Sequence, residues 1–127
     1  MINLNNKVFI TVENSTHGDT NNQTFFHYLQ KGNKVSAKYF GGPIKTGFLS
    51  GIIDSNGELN MQYHHVNSKN ELLTGVCHSQ IQKMIDGKIR IIENWSWTSR
   101  TFAKGQSILE EVNDDDKANY LKIATGF

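Results

Sequence analysis

The run Ile89-Arg90-Ile91-Ile92-Glu93-Asn94-Trp95-Ser96-Trp97 constrains this chain more than any other stretch. Successive side chains of a β-strand point to opposite faces, so Ile89, Ile91, Glu93, Trp95 and Trp97 share one face. That face is apolar and aromatic, with a single carboxylate in its middle. A helix would scatter these residues around its circumference, whereas an extended strand gathers them into a wall that has to be covered.

The rest of the chain supplies partners for such a wall. β-branched and aromatic segments recur at roughly the 8–12-residue spacing of an all-β sandwich or barrel. The pattern predicts strands over Lys7–Glu13, Thr24–Gln30, Lys34–Phe40, Ile44–Asp54, Leu59–Val66, Leu72–Met84, the tryptophan run and Ser107–Val112. Between them lie polar or tight connections: a loop from Asn14 to Asn22, the turns Lys31-Gly32-Asn33, Gly41-Gly42-Pro43, Ser55-Asn56-Gly57-Glu58, Asn67 to Glu71 and Asp86-Gly87, and a loop from Ser99 to Gly105. Gly47 and Gly51 fall inside the fourth strand, where glycine often marks a bulge or a point of coiling. No amphipathic helix interrupts the series. Roughly eight antiparallel strands in meander order would expose two edges unless they closed, which favours a barrel over an open sandwich.

With 127 residues the chain has room for one domain with a real core. The boundary falls at residue 112, leaving a β-barrel domain over 1–112 and a tail over 113–127. In the tail, Asn113-Asp114-Asp115-Asp116 can cap a short helix carrying Tyr120, Leu121 and Ala124 on one side; a frayed terminus is the alternative. A docked tail could plug a barrel mouth or pack on a second copy in a homodimer. The net charge of +1 and the scattered basic residues argue against a nucleic-acid partner. No stretch approaches the roughly 20 apolar residues of a membrane helix, and the opening residues lack a signal-peptide core, which predicts a cytoplasmic protein.

Several residues are candidates for chemistry. Glu93 shares its face with two indoles and is therefore buried or lining a cavity; it could anchor a polar ligand, act as general acid or base, or sit in a salt bridge with a residue such as Lys38. Trp95 and Trp97 would hold the apolar part of a ligand. Tyr28, Tyr39 and Tyr63 combine apolar rings with polar tips, and His65 shares parity with Tyr63. His27, His64, His65 and His78 could in principle join Glu93 in a two-histidine, one-carboxylate metal site, but their spacing is not diagnostic and no metal is assigned. Cys77, the only cysteine, reads as a small buried hydrophobe. There is no P-loop, dinucleotide fingerprint, nucleophile elbow or HExxH motif, so no cofactor is assigned.

Certain segments carry a family resemblance: Phe26-His27-Tyr28, Gly41 to Gly47, Gln62 to Asn67, Glu71 to Cys77, Glu93 to Ser99 and Gly105 to Val112. Together they resemble, over residues 3–112, a family of small bacterial proteins that carries the label N-acetylglutamate synthase. The label implies acetyl transfer from acetyl-CoA to glutamate. An acetyltransferase of the common mixed fold needs a central helix whose N-terminus receives the pyrophosphate, and the sequence holds neither that helix nor its loop. At fold level the meander also resembles the lipocalin–avidin group of calycin-like barrels. That likeness implies a small molecule held in the barrel interior, and for some such barrels proton-transfer chemistry by an interior tyrosine and glutamate. The expectation is a barrel that binds a small, partly apolar molecule through Trp95, Trp97, Glu93, Tyr28, Tyr63 and His65; an enzyme using Glu93 with a tyrosine or histidine is the alternative.

Overall fold

A computed structural model describes residues 2–15, 18–99 and 103–125. Strands form wherever β-branched and aromatic residues alternate with polar ones: β1 (Lys7–Asn14), β2 (Phe25–Lys31), β3 (Lys34–Gly41), β4 (Ile44–Ile53), β5 (Leu59–Asn67), β6 (Leu72–Lys83), β7 (Ile89–Trp97) and β8 (Lys104–Glu111). Each pairs antiparallel with the next, and β1 pairs with β8, so the sheet closes into a barrel without free edges. Helix α1 (Asp114–Thr125) follows the last strand.

Meander order places alternate connections at opposite ends. The turns β2–β3, β4–β5 and β6–β7 gather at one end, where Val35, Ile53, Leu59, Ile89, Ile91 and Leu109 pack as solid core. Leu4, fully buried, closes that end; its N–H donates to Gln30 Oε1 at 2.9 Å. The N-terminal segment thus fills a place the sequence had suggested for the C-terminal tail. At the opposite end, beneath the β1–β2 and β7–β8 connections, the interior is aromatic and incompletely filled.

The tail neither plugs a mouth nor is frayed over 114–125. Asn113 Oδ1 accepts from the N–H of Asp116 at 2.8 Å as an N-cap, and three aspartates sit at the positive end of the helix. Tyr120 is 3% exposed and packs against Phe25, His27 and Phe40, the outward-facing residues of β2 and β3. The helix therefore docks on the outside of its own barrel. Among the described residues, no helix is long and apolar enough to cross a membrane.

Two sequence expectations need correction. The eighth strand begins at Lys104, not Ser107, because Lys104 and Gly105 pair with Ser96 and Trp95. The middle of the loop assigned to 99–105, and residues 16–17 of the loop assigned to 14–22, lie outside the described residues. Gly47 is not a bulge either: the register shifts on β4 fall between Ile44 and Thr46, and Gly47 lies opposite Tyr39, whose ring would sit 2.4 Å from any Cβ there. The same device recurs twice. Gly75 lies opposite Tyr63 and Gly105 opposite Trp95, with ring atoms 2.2 and 2.6 Å from the added Cβ position. Three cross-strand glycines make room for three rings that lean over the barrel wall.

Candidate functional site

Parity along β7 does what the sequence required: Ile89, Ile91, Glu93, Trp95 and Trp97 all face inward and are buried. Register then fixes their neighbours. Glu93 lies opposite Ser79 on β6 and Ser107 on β8, while Trp95 lies opposite Cys77 and Gly105. Tyr63 and His65 on β5 and Phe26 on β2 share the interior. The two indole rings are 5.7 Å apart, Trp97 meets Tyr63 edge-on at 5.7 Å and His65 at 5.6 Å, and Phe26 stacks on Tyr39 at 4.8 Å.

These rings surround a cavity of about 40 Å³, walled chiefly by Tyr39, Tyr63, Cys77, Glu93, Trp95 and Trp97. Asn14, Asp19, Thr20 and Ser107 add polar groups, and Gly18 completes the wall from the β1–β2 connection. A volume of this size holds a few waters, on the order of three. It takes a very small molecule or one end of a larger one.

Glu93 is 6% exposed, and its partners are two hydroxyls. Ser107 Oγ donates to Oε1 at 2.9 Å, and Tyr28 donates to Oε2 over a long 3.5 Å. Burial pushes the carboxyl from its ordinary value up to about 7, with the two hydroxyl donors pulling weakly the other way. The salt bridge considered for this residue does not form. Lys38 points outward from β3, and Arg90 pairs with Glu110 on the outer surface at 2.6 Å.

A second polar assembly reaches the cavity from the loop end. Tyr39 Oη is 2.8 Å from His65 Nδ1, and His65 Nε2 is 3.0 Å from Asp19 Oδ2. A carboxylate oxygen accepts, so the Nε2–H of His65 is placed toward Asp19, and the Tyr39 hydroxyl meets Nδ1 with the His64 carbonyl as a second acceptor at 3.4 Å. Asn67 Nδ2 also donates to Asp19, at 3.2 Å, so the loop carboxylate is held from two positions on β5. Burial raises the Tyr39 and Tyr63 phenols and the Cys77 thiol well above their usual ranges, and all three stay protonated. Cys77 is thus a neutral part of the wall, as its sequence context suggested.

Glu93, Trp95, Trp97, Tyr63 and His65 therefore share one cavity wall. Tyr28 touches Glu93 from below without lining the cavity. The other weighed histidines face outward: His27 meets Asn6 at 2.8 Å, His64 lies beside Phe48, and His78 meets Asn60 and Glu58 at 2.7 and 3.0 Å. A two-histidine, one-carboxylate set is therefore not assembled among the described residues. Sequence reasoning did not single out Ser107, Asn14, Thr20 or Asp19. Ser107 becomes apparent only once β8 is registered against β7. The three loop-end residues lie in a polar stretch with no periodicity to mark them.

Comparison with known proteins agrees with this architecture. No curated protein and no solved structure matches the chain. A family described as avidin-like protein matches residues 2–112, the whole barrel up to the start of the tail. On that match, and with a closed eight-stranded meander to carry it, the chain belongs to the avidin-like protein family.

Proposed function

We propose that this barrel binds a small, partly apolar molecule in its interior, with Trp95 and Trp97 covering the apolar part and Glu93 fixing a polar group. Eight-stranded barrels are just wide enough to be filled by side chains or to hold one small ligand. The observation that carries the reading is the placement of Glu93: a buried carboxylate on the wall of an unfilled aromatic cavity, with no cation paired to it among the described residues. A solid core would have no reason to retain such a group, since burying a charge is costly unless it is matched. Binding would replace cavity water with ring contacts and supply the hydrogen bonds that Glu93 lacks. Tryptophan fluorescence tests this directly. A metabolite that quenches or shifts the emission of the wild type, with the response lost in Trp95→Ala, supports binding; a flat response across a broad library refutes it.

The Tyr39–His65–Asp19 chain favours a second reading, in which the same cavity performs proton transfer. Glu93, poised near neutrality, would exchange a proton with a bound molecule, and His65 would hold the Tyr39 phenol in place. This reading expects a pH-dependent turnover that Glu93→Gln abolishes while the fold persists. Acetyl transfer finds less support. The one helix among the described residues begins with Asp114, Asp115 and Asp116, which repel a pyrophosphate. Calorimetry with acetyl-CoA tests it, and heat of binding would revive it.

A further inference from the structure

Resting on the binding reading above, we infer that the cavity selects a small organic cation bearing N–H donors, of the guanidinium or primary ammonium class, which pairs with Glu93 and is covered by the faces of the surrounding rings.

Four observations converge on that class. The described cavity wall carries two carboxylates, Glu93 and Asp19, and no lysine or arginine. Asp19 already accepts from ring and amide N–H groups of His65 and Asn67, whereas Glu93 has no N–H donor among the described residues. A carboxylate offers about four acceptor sites, and the two hydroxyls at Glu93 occupy two of them, one over a long 3.5 Å. A cation with N–H groups is the ligand chemistry that satisfies both the charge and the remaining lone pairs.

The rings make the same demand. Trp95, Trp97, Tyr63, Tyr39 and Phe26 line the space, and the negative π-faces of such rings favour a cation over a neutral group or an anion. A further acceptor points the same way. Among the described residues Asn14 Oδ1, on the same wall, is buried without a hydrogen-bond partner. Its orientation is fixed, because Asn14 Nδ2 donates to Thr20 O at 3.0 Å and to Thr20 Oγ1 at 3.1 Å; a flipped amide would set oxygen against the Thr20 carbonyl. A buried acceptor without a donor is costly, so a ligand N–H that reached Asn14 Oδ1 past Gly18 would relieve it.

Size sets the probes. Guanidinium, urea and acetate are planar, have four heavy atoms each, and differ chiefly in charge, and a cavity of about 40 Å³ is on their scale. Fragments this small bind no tighter than roughly the ten-micromolar range and are expected in the millimolar range. Each would be titrated into the full chain as its sodium or chloride salt, or as the neutral compound, at matched ionic strength and pH 8, following the indole N–H resonances of Trp95 and Trp97. Guanidinium is expected to bind at least tenfold more tightly than urea, and acetate not to bind. Because the cation competes with a proton for Glu93, guanidinium affinity is expected to fall up to tenfold per pH unit below pH 7, while urea stays level. Tyr28, Tyr39, Tyr63 and Cys77 face Glu93 and are held protonated by burial; His65 and Asp19 share the cavity, so Glu93→Gln, which keeps both, is titrated over the same pH range and is expected to lose the dependence.

In Glu93→Gln, guanidinium should lose its advantage over urea. Were that variant to misfold, calorimetry of the wild type at pH 6 in two buffers of different ionisation enthalpy would decide, with proton release on guanidinium binding as the expected result. Urea or acetate binding as tightly as guanidinium, or guanidinium binding without pH dependence, overturns the charge class and leaves the binding reading standing. Silence from all three overturns the inference, and silence extending to small neutral alcohols and a metabolite library takes the binding reading with it.

Discussion

Replacing Glu93 with glutamine should make the protein more stable, and by an amount that depends on pH in a defined direction. Glutamine keeps the shape and an oxygen that can accept from Ser107, but it carries no charge to be desolvated. Burial lifts the carboxyl from 4.5 to about 7 in the folded state. At 1.36 kcal/mol per pH unit, that difference corresponds to roughly 3 kcal/mol. The sign follows from proton counts. Below pH 4.5 Glu93 is protonated whether the chain is folded or not, and its ionisation costs nothing. Between 4.5 and 7 the folded protein holds a proton that the unfolded chain has lost, so stability falls as pH rises. Above 7 the folded protein carries a buried carboxylate and the whole cost is present. Thermal unfolding is the suitable assay, because urea and guanidinium are themselves candidate ligands. For a domain of this size the expected rise in Tm for Glu93→Gln at pH 8 is on the order of 10 °C, shrinking to a few degrees or less at pH 4.5. A variant that is equally or less stable than wild type at both pH values would show that Glu93 ionises comfortably in the fold, and the argument for an unmatched buried charge would fail.

Other perturbations have outcomes that can be stated as plainly. Gly75→Ala should cost about 1–3 kcal/mol by overpacking, since the new methyl would meet the Tyr63 ring and hydroxyl at 2.2 Å and the Ser96 carbonyl at 2.5 Å; thermal unfolding measures the loss. Gly105→Ala should displace the Trp95 ring, which the added carbon would meet at 2.6 Å, and shift its fluorescence. Tyr120→Ala should release α1 from the barrel, lowering helical circular dichroism while the indole resonances of Trp95 and Trp97 hold their positions. Asp19→Asn should weaken the hold on the His65 Nε2 proton and let the ring exchange tautomers, which imidazole nitrogen chemical shifts would reveal.

The barrel was legible because its signals are local and repeated. Period-2 alternation marks β7 from Ile89 to Trp97 to the residue, and hairpin chemistry at Ser55 to Glu58 and at Asp86-Gly87 separates β4 from β5 and β6 from β7. Closure followed from the cost of exposed edges. Glycine is ambiguous in a single segment: Gly105 reads as the end of a loop and Gly47 as a bulge or a point of coiling, whereas each is the space left for a ring on the adjacent strand. That space depends on cross-strand register, which no single segment encodes. The same limit hid half of the site. Glu93, Trp95, Trp97, Tyr63 and His65 announced themselves by parity, whereas Ser107 needed the β7–β8 pairing and Asp19 needed the fold of an aperiodic loop. His64 and His65 show both sides of this. Their adjacency guaranteed that one faces out, but only closure of the barrel decided that His65 faces in.

An unmatched carboxylate inside a 127-residue barrel is hard to account for as packing. Domains are stable by about 5–15 kcal/mol in all, so a burial cost of roughly 3 kcal/mol consumes a large share of the margin. The adjacent structure could remove that cost without rearrangement, since a glutamine or methionine fits the same outline between Ser79 and Ser107. Instead the wall around Glu93 is built to hold the charge open: hydroxyls as its partners, rings rather than lysines beside it, and a cavity in front. Cross-strand glycines keep the rings at Tyr63 and Trp95 from filling that space. The unmatched charge and the unfilled space weaken the barrel, and they coincide at one end of it, while the other end is packed solid by Leu4, Ile53, Leu59, Ile89 and Leu109. Stability lost at one end and secured at the other is the division expected when a fold reserves part of its interior for a guest that supplies the missing counter-charge.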